Sequence, residues 1–452
     1  MSGANCQTLA TSKRARLEGR EFHLPDSILT GILSRLPLAS IARLKSVCRE
    51  WKSLIESRFF RQLYQSLNRG NSSSISWSLV RTTFREEALQ VVSFHGCERW
   101  ALAKSLGSYL SSFERDLKQK SGMKITAMEV AATVDGLVLL YVVTRDGEKK
   151  YFLGNPVLGQ WFHLPLPPWL SLGRLRELQS RSLITDTGLV TDMDKNSGCL
   201  LGYKVVWVVI PQITSSRLSF WIYSSETGLW SQEEARCPVD VSWYRLHHPV
   251  HSNGHLHWLD DGLYADNFVA RGFFASTTTT REDLCHVIPF PDTLGGDFRP
   301  RFRRTLTTSG GSLVYINEDA GRELRVWRLN DDWSVNLGHH VDLGLDYFPV
   351  AMHPLKDDVI YLWSVEKEFL VSYNLGTHRF TTRRETESGS VDHNCNCIVR
   401  FNYCPKHMKY IYQRYAMFDG SFTIHRIHFH QFVLPPWFDP IPLPPGLHFL
   451  RF

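Results

Sequence analysis

The 452-residue chain lacks any apolar run long enough to cross a bilayer. Its longest, GLVLLYVV (136–143) and VVWVVI (205–210), fall far short of the roughly 20 residues that a spanning helix needs. The opening stretch, MSGANCQTLATSKRARLEGR, has no apolar core, so a secretory leader is not expected. No disulfide framework is legible: the nine cysteines are odd in number and mostly far apart, the usage expected in a reducing compartment. An excess of one charge is missing too. With 51 Lys+Arg against 45 Asp+Glu the net charge is +6, which does not call for nucleic acid as a partner. Absent as well are a P-loop, a dinucleotide glycine fingerprint, a serine elbow and a zincin helix motif. The expectation is a soluble intracellular protein, working in nucleus, cytoplasm or both, with no membrane partner and no cofactor.

Apolar residues make up 43% and charged residues 21%, near globular averages, which excludes a disordered or collagen-like chain. The aromatic share of 12%, with 14 Trp and 26 Phe, favours strands. At roughly 150 residues per domain the length allows about three domains, or fewer where a repeat-built β fold runs longer.

Residues 1–20 read as a basic, disordered tail, with Lys13, Arg14, Arg16 and Arg20 against Glu18; a short, broken basic run of this kind also serves in nuclear import. Residues 21–66 change character. Pro25 suits the first turn of a helix, along which Ile28, Leu29, Ile32, Leu33 and Leu36 recur at helical spacing. Pro37 stops that helix, and Ser40 is the expected N-cap of a second one. Ile41, Leu44, Val47, Cys48, Trp51, Leu54 and Ile55 then recur every three or four residues, continued by Phe59, Phe60 and Leu63. About 45 residues is near the lower limit for a free-standing core. These stripes are too generous for a solitary unit, so they either pack on the rest of the chain or are kept for another protein, as in helix-in-groove recognition.

The segment LPDSILTGILSRLPLASIARLKSVCREWKSLI resembles the F-box: a Leu-Pro opening, an Ile-Leu pair, a Leu-Pro break, then Val-Cys-Arg-x-Trp. The resemblance implies docking on a Skp-family adaptor and, through it, on a cullin-based SCF-type ubiquitin ligase. The contact positions it carries over are Leu24, Pro25, Ile28, Leu29, Leu36, Pro37, Val47, Cys48 and Trp51, with Trp51 also a candidate for the F-box's own core. Arg58 stands where the family often has proline, so the third helix is expected to begin differently. The bland alternative is a helical cap for the larger domain.

Residues 67–75, containing NRGNSSS, read as a linker. Beyond it, apolar alternation is punctuated by turns. In YFLGNPVLGQWFHLPLPP (151–168), Asn155 and Pro156 open a turn in which Gly159 takes a positive φ. Strand pairs recur with lead strands near 136, 204, 254, 311 and 358, in steps of 68, 50, 57 and 47. Short strands at such a period are the mark of β-propeller blades. About six blades are expected over 76–432. The sixth would be shared between the two ends, VVSFHGCERWALA (91–103) supplying early strands and CIVRFNY (397–403) and SFTIHRIHFHQF (421–432) late ones, which leaves no free edge. The fold class is therefore a small all-α F-box followed by an all-β propeller. Over about 130–385 the chain is similar to the kelch-like, F-box-associated region of plant F-box proteins, through Asn155-Pro-x-x-Gly-x-Trp161, Tyr223-Ser-Ser-Glu-Thr-Gly-x-Trp230, Gly254-His-Leu-His-Trp258, Ile288-Pro-Phe-Pro and Leu324-Arg-Val-Trp327. Among the candidate blade turns, only Gly310-Gly311 supplies a kelch double glycine. The Pro-rich end, 433–452, is expected to be extended, either binding a Pro-recognising groove or packing back on the propeller.

Three clusters bear on chemistry. His393, Cys395, Cys397, Cys404 and His407 carry zinc-ligand types, but the Cys-x-Cys spacing is not the structural Cys-x₂₋₄-Cys, so no metal is expected. His247, His248, His251, His255 and His257 fit a structural or peptide-contacting role, with His255 and His257 on one strand face. DFRPRFRR places Arg299, Arg301, Arg303 and Arg304 around Phe302. This is either a loop leading into the next blade or, if the client carries an acidic or phosphorylated degron, its contact patch. No acid–base pair or nucleophile can be assembled. The expectation is a non-catalytic substrate receptor of a ubiquitin ligase with an unidentified client protein; the rivals are an interaction scaffold without ubiquitin transfer and a propeller enzyme.

Overall fold

The computed structural model describes residues 25–36, 38–68, 77–85, 88–96, 106–168, 187–194, 198–210, 214–242, 246, 248–259, 267–274, 285–291, 302–319, 323–329, 333–342, 347–364, 369–382, 398–401, 429–434, 437 and 440–451. The chain divides into two compact units, Met1–Leu67 and Asn68–Phe452.

Among the described residues four helices build the first: α1 (Asp26–Leu33), α2 (Leu38–Leu44), α3 (Arg49–Glu56) and α4 (Arg58–Asn68). Pro25 stands just before α1 with extended backbone (φ −52°, ψ 138°), where its missing N–H costs no helical bond. Two expectations are corrected. Helix α2 already begins at Leu38, so Ser40 lies inside it and does not cap it. The apolar stripe from Ile41 to Ile55 is two helices, because Cys48 turns extended (φ −155°, ψ 168°) and its Sγ accepts the Trp51 amide at 3.4 Å. A side chain that takes an orphan amide at a helix start competes with continuing the helix. Ser57 repeats the device before α4, its hydroxyl accepting the Phe60 amide at 3.1 Å. Leu29, Leu33, Ile41, Ile55, Phe60 and Tyr64 are buried.

Among the described residues the second unit holds six four-stranded antiparallel sheets. Five are blades of four consecutive strands. Blade one is β3 (Ile125–Val134), β4 (Leu137–Thr144), β5 (Lys149–Asn155) and β6 (Gln160–Leu164). Blade two is β7 (Thr187–Met193), β8 (Leu200–Val209), β9 (Thr214–Ser224) and β10 (Trp230–Ser242). Blade three is β11 (Val250–Ser252), β12 (His255–Leu259), β13 (Asn267–Gly272) and β14 (His286–Pro289). Blade four is β15 (Phe302–Ser309), β16 (Ser312–Asp319), β17 (Glu323–Leu329) and β18 (Trp333–Asp342). Blade five is β19 (Tyr347–Met352), β20 (Val359–Ser364), β21 (Phe369–Asn374) and β22 (Arg379–Thr382). The sixth sheet joins both ends of the unit: β1 (Trp77–Arg85) and β2 (Ala88–Gly96) pair with each other, with β23 (Ile398–Phe401) outside β2 and β24 (His430–Val433) beside β1. The first strands β3, β7, β11, β15 and β19 touch in succession and β24 touches β3, so these six form the inner ring of a propeller.

The strands that lead in the sequence reading are the second strands of their blades. The reason is burial: β4 is covered along almost its whole length, whereas β3 alternates, and a strand buried on both faces reads as a continuous apolar run. In blades one, three and four, first and second strands join through tight hairpins in which both turn residues have positive φ: Asp135-Gly136 (44°, 79°), Asn253-Gly254 (51°, 75°) and Gly310-Gly311 (57°, 83°). This geometry matches the strand twist. Between third and fourth strands, Asn155 Oδ1 accepts the Val157 and Leu158 amides at 3.0 and 3.1 Å, and Gly159 has φ 65°.

A helix absent from the sequence reading, α5 (Leu106–Lys120), packs Leu106, Leu110, Phe113 and Leu117 against Met128, Leu140, Phe152 and Trp161. The Phe113 and Trp161 rings stack at 4.2 Å. The Pro-rich C-terminal segment packs back on blades one and two, with Ile441 buried among their aromatic residues.

Candidate functional site

Helix α1 has two apolar faces. Leu29 and Leu33 turn inward, while Ile28 and Ile32, one turn apart, are 51% and 49% exposed. Val47, in the turn that Cys48 enforces, is 60% exposed, and Phe59 66%. Of the positions carried over from the family, Pro25, Ile28 and Val47 are at the surface, while Leu36, Cys48 and Trp51 are half-buried. Leu29 is buried, so its side chain serves the helical core. Leu24 and Pro37 lie outside the described residues. Ile32, exposed one turn from Ile28, is not among the carried-over positions, although its i+4 spacing from Ile28 places both on one helix face. A short helix with an apolar face left in water is suited to docking another protein.

In the propeller, Ala132, Thr133, Leu189, Pro249, Val250, His251, Thr307, Thr308 and the segment Phe429–Gln431 line a cavity of about 60 Å³ between the inner strands. It has room for a few water molecules. Gln431 spans it: Oε1 accepts the Thr308 hydroxyl at 2.6 Å, and Nε2 faces Thr307 Oγ1, Thr308 O and Met352 O at 3.0, 2.8 and 3.0 Å. The Thr133 hydroxyl donates to the Gln431 carbonyl at 2.8 Å. Gln431 thus ties β24 to β3, β15 and β19 through hydrogen bonds of neutral side chains and backbone carbonyls, and the chemistry of this spot is that of a clasp.

The histidines belong to the fold of blade three. His255 and His257 have ring centres 6.3 Å apart. Burial pushes the His257 imidazole down to about 4, with His255 adding to the effect. Burial also lowers His251, opposed by the Asp135 carboxylate, which itself accepts the Thr191 hydroxyl. His248 sets its ring edge-on to His430 at 5.6 Å. Among the described residues, no three His, Cys, Asp or Glu side chains are placed to hold a metal ion. His247 and the cluster of His393, Cys395, Cys397, Cys404 and His407 lie outside the described residues.

Arg299 and Arg301 also lie outside them. Arg303 and Arg304 are on β15, so strand structure begins within a stretch expected to be a loop. The Arg304 guanidinium sits 4.4 Å over the Phe290 ring, a cation–π contact toward blade three.

A helical unit with an outward apolar face, followed by a propeller closed by its own two ends, can be set against known proteins. The profile described as "F-box-like" matches residues 22–66, and that described as "F-box protein At3g26010-like, beta-propeller" matches 75–443. The chain belongs to this family of F-box propeller proteins. Its Arabidopsis thaliana relatives are similar end to end. At3g23950, named as an F-box protein, is 39% identical over 94% of this chain and 99% of its own length. At3g26010, also named as an F-box protein, is 33% identical over 96% of this chain and 94% of the relative. At1g15680, named as an F-box/kelch-repeat protein, is 35% identical over 95% and 97%. This F-box protein therefore pairs the family's helical F-box with the family's propeller, an organisation that supports a substrate-adaptor role.

Proposed function

We propose that this F-box protein is the substrate-recognition subunit of an SCF-type ubiquitin ligase. Its helical unit docks a Skp-family adaptor and, through it, a cullin; its propeller holds a client protein for ubiquitination, in the nucleus, the cytoplasm or both. The observation that carries the reading is the exposed pair Ile28 and Ile32 within a segment that matches the F-box profile. The chain makes no bond itself. It raises the local concentration of client lysines around a ubiquitin thioester, turning a bimolecular encounter into one within an assembly. Co-expression with a Skp-family adaptor tests the docking step: a complex that survives size exclusion is expected, and two separate peaks would refute it. Ubiquitination of a captured client in the reconstituted ligase then separates a receptor from a scaffold.

A further inference from the structure

The residues at 440–451 form a strap across the outer strands of blades one and two. Ile441 is buried in the core cluster of Phe162, Tyr203, Trp207 and Tyr223, with Leu443, Leu447, Phe449 and Trp230 packed on its margin. Phe449 meets Phe162 edge-on at 6.4 Å. A Cβ added to Gly228, in the β9–β10 turn, would come within 3.1 Å of the Pro445 carbonyl oxygen, so that turn is shaped to the strap. Trp230 is held beside it by its Nε1–H, which donates to the Pro165 carbonyl at 2.9 Å.

The strap is well fitted and lightly tied. Among the described residues two hydrogen bonds join it to the blades: the Ile441 amide to Gln160 Oε1 at 3.3 Å and the Leu450 amide to the Trp161 carbonyl at 2.7 Å. Ile441 and Pro444 are buried, but Leu443, Leu447, Phe449 and Leu450 are only half-buried, and a segment tied by so few backbone hydrogen bonds opens locally more readily than the strands it covers. From Pro444 onward it lies past the residues that the propeller profile matches. Beneath it, the Tyr203 and Tyr223 hydroxyls are buried without a hydrogen-bond partner among the described residues. An extended Pro-rich peptide has no internal hydrogen bonds, and an aromatic-lined groove such as the one under the strap is how such peptides are recognised elsewhere.

We propose that the groove between the outer strands of blades one and two is a binding site for an extended, proline-rich segment of a partner protein, held in the free protein by the chain's own residues 441–450. Calling that partner a client rests on the receptor reading above; the groove itself is tested without the adaptor. A tethered strap acts at roughly millimolar effective concentration, so it suppresses binding in trans until a partner segment replaces it.

The test uses the full chain and a fluorescein-labelled synthetic peptide of residues 440–452, with a scrambled peptide as control. The Ile441→Asp/Leu447→Asp chain, whose strap is released, is expected to bind the peptide at least tenfold more tightly than the unaltered chain. Adding Trp230→Ala is expected to remove that gain. Equal binding by released and unaltered chains, or binding of the scrambled peptide alike, would overturn the proposal. Loss of cooperative unfolding in the released chain would overturn it too, since the strap would then be part of the fold. Hydrogen exchange on the unaltered chain needs no variant: the Ile441 and Leu450 amides are expected to exchange at least 100-fold faster than those of β5, and equal protection would refute the opening. Adaptor binding measured on the same samples shows separately whether the receptor reading stands.

Discussion

Replacing Gln431 with alanine removes the side chain that closes the ring. Strand β24 comes from the far end of the unit, and its neighbours on the axis are held through this one amide. The carboxamide has two protons, so of the three acceptors facing Nε2, at 3.0, 2.8 and 3.0 Å, two are fully served. The Thr308 hydroxyl on Oε1 makes a third bond. At about 1 kcal/mol net for each, the loss is about 3 kcal/mol, before any water refills the cavity. An unfolding entropy of about 2.1 cal/mol/K per residue puts the Asn68–Phe452 unit on the order of 0.8 kcal/mol/K, so the midpoint should fall by about 4 °C. Thermal unfolding followed by tryptophan fluorescence reads this directly, because Trp77 is buried in the neighbouring strand β1. Gln431→Leu, which keeps volume but no hydrogen bonds, should behave similarly. A shift under about 1 °C in both variants would mean that the clasp contributes little, and that β24 is held by its ladder to β1 alone.

Other outcomes follow from single observations. Ile28→Asp/Ile32→Asp forfeits about 1 kcal/mol of burial per half-exposed isoleucine and forces two carboxylates into a docked surface, so adaptor affinity should drop more than 100-fold at unchanged melting temperature; undiminished co-purification would contradict the assignment. The same change at buried Leu29 is expected to unfold the helical unit instead. Burial pushes His353 down to about 4, aided by Lys356 and opposed by Asp358, below its ordinary 6.5. The fold therefore favours the neutral ring: its stabilisation is complete above about pH 6.5 and is lost as pH falls toward 4. His353→Asn, whose amide oxygen can still accept the Leu355 and Lys356 amides now held by Nδ1 at 3.0 Å, should unfold less steeply between pH 6.5 and 4.5; an unchanged acid limb would refute that role. Gly154→Ala would place a Cβ 2.2 Å from Trp161 Cε3 and 2.6 Å from the Gln160 carbonyl oxygen. Overpacking of this kind costs about 1–3 kcal/mol or more, and a variant that melts like the parent would show that blade one relaxes freely.

Local chemistry made much of this molecule legible from the chain alone. Two Leu-Pro pairs and Val-Cys-Arg-x-Trp marked the helical unit, because helix-stopping prolines act within a turn of where they stand, although the cap at Cys48 was not legible. The turn from Asn155 to Gly159 was legible, because only a few residue types accept positive φ, whereas the hairpins at Gly136, Gly254 and Gly311 join first strands that carry no strong pattern of their own. What lay beyond reach depended on partners distant in sequence. In blade one the second strand is covered along almost its whole length while the first is only partly buried, so the more apolar second strand reads as the leader. Leu106, Leu110, Phe113 and Leu117 have helical spacing, yet only the cluster around Trp161 makes that helix part of the core. Ile28 and Leu29 are chemically alike neighbours, and the packing of α1 alone separated the surface residue from the core one. Gln431 among the strands and Ile441 among the prolines carry no local signal at all. Their roles exist because the closed ring brings residues some 120 to 300 positions apart within bonding distance, and no short-range pattern encodes that.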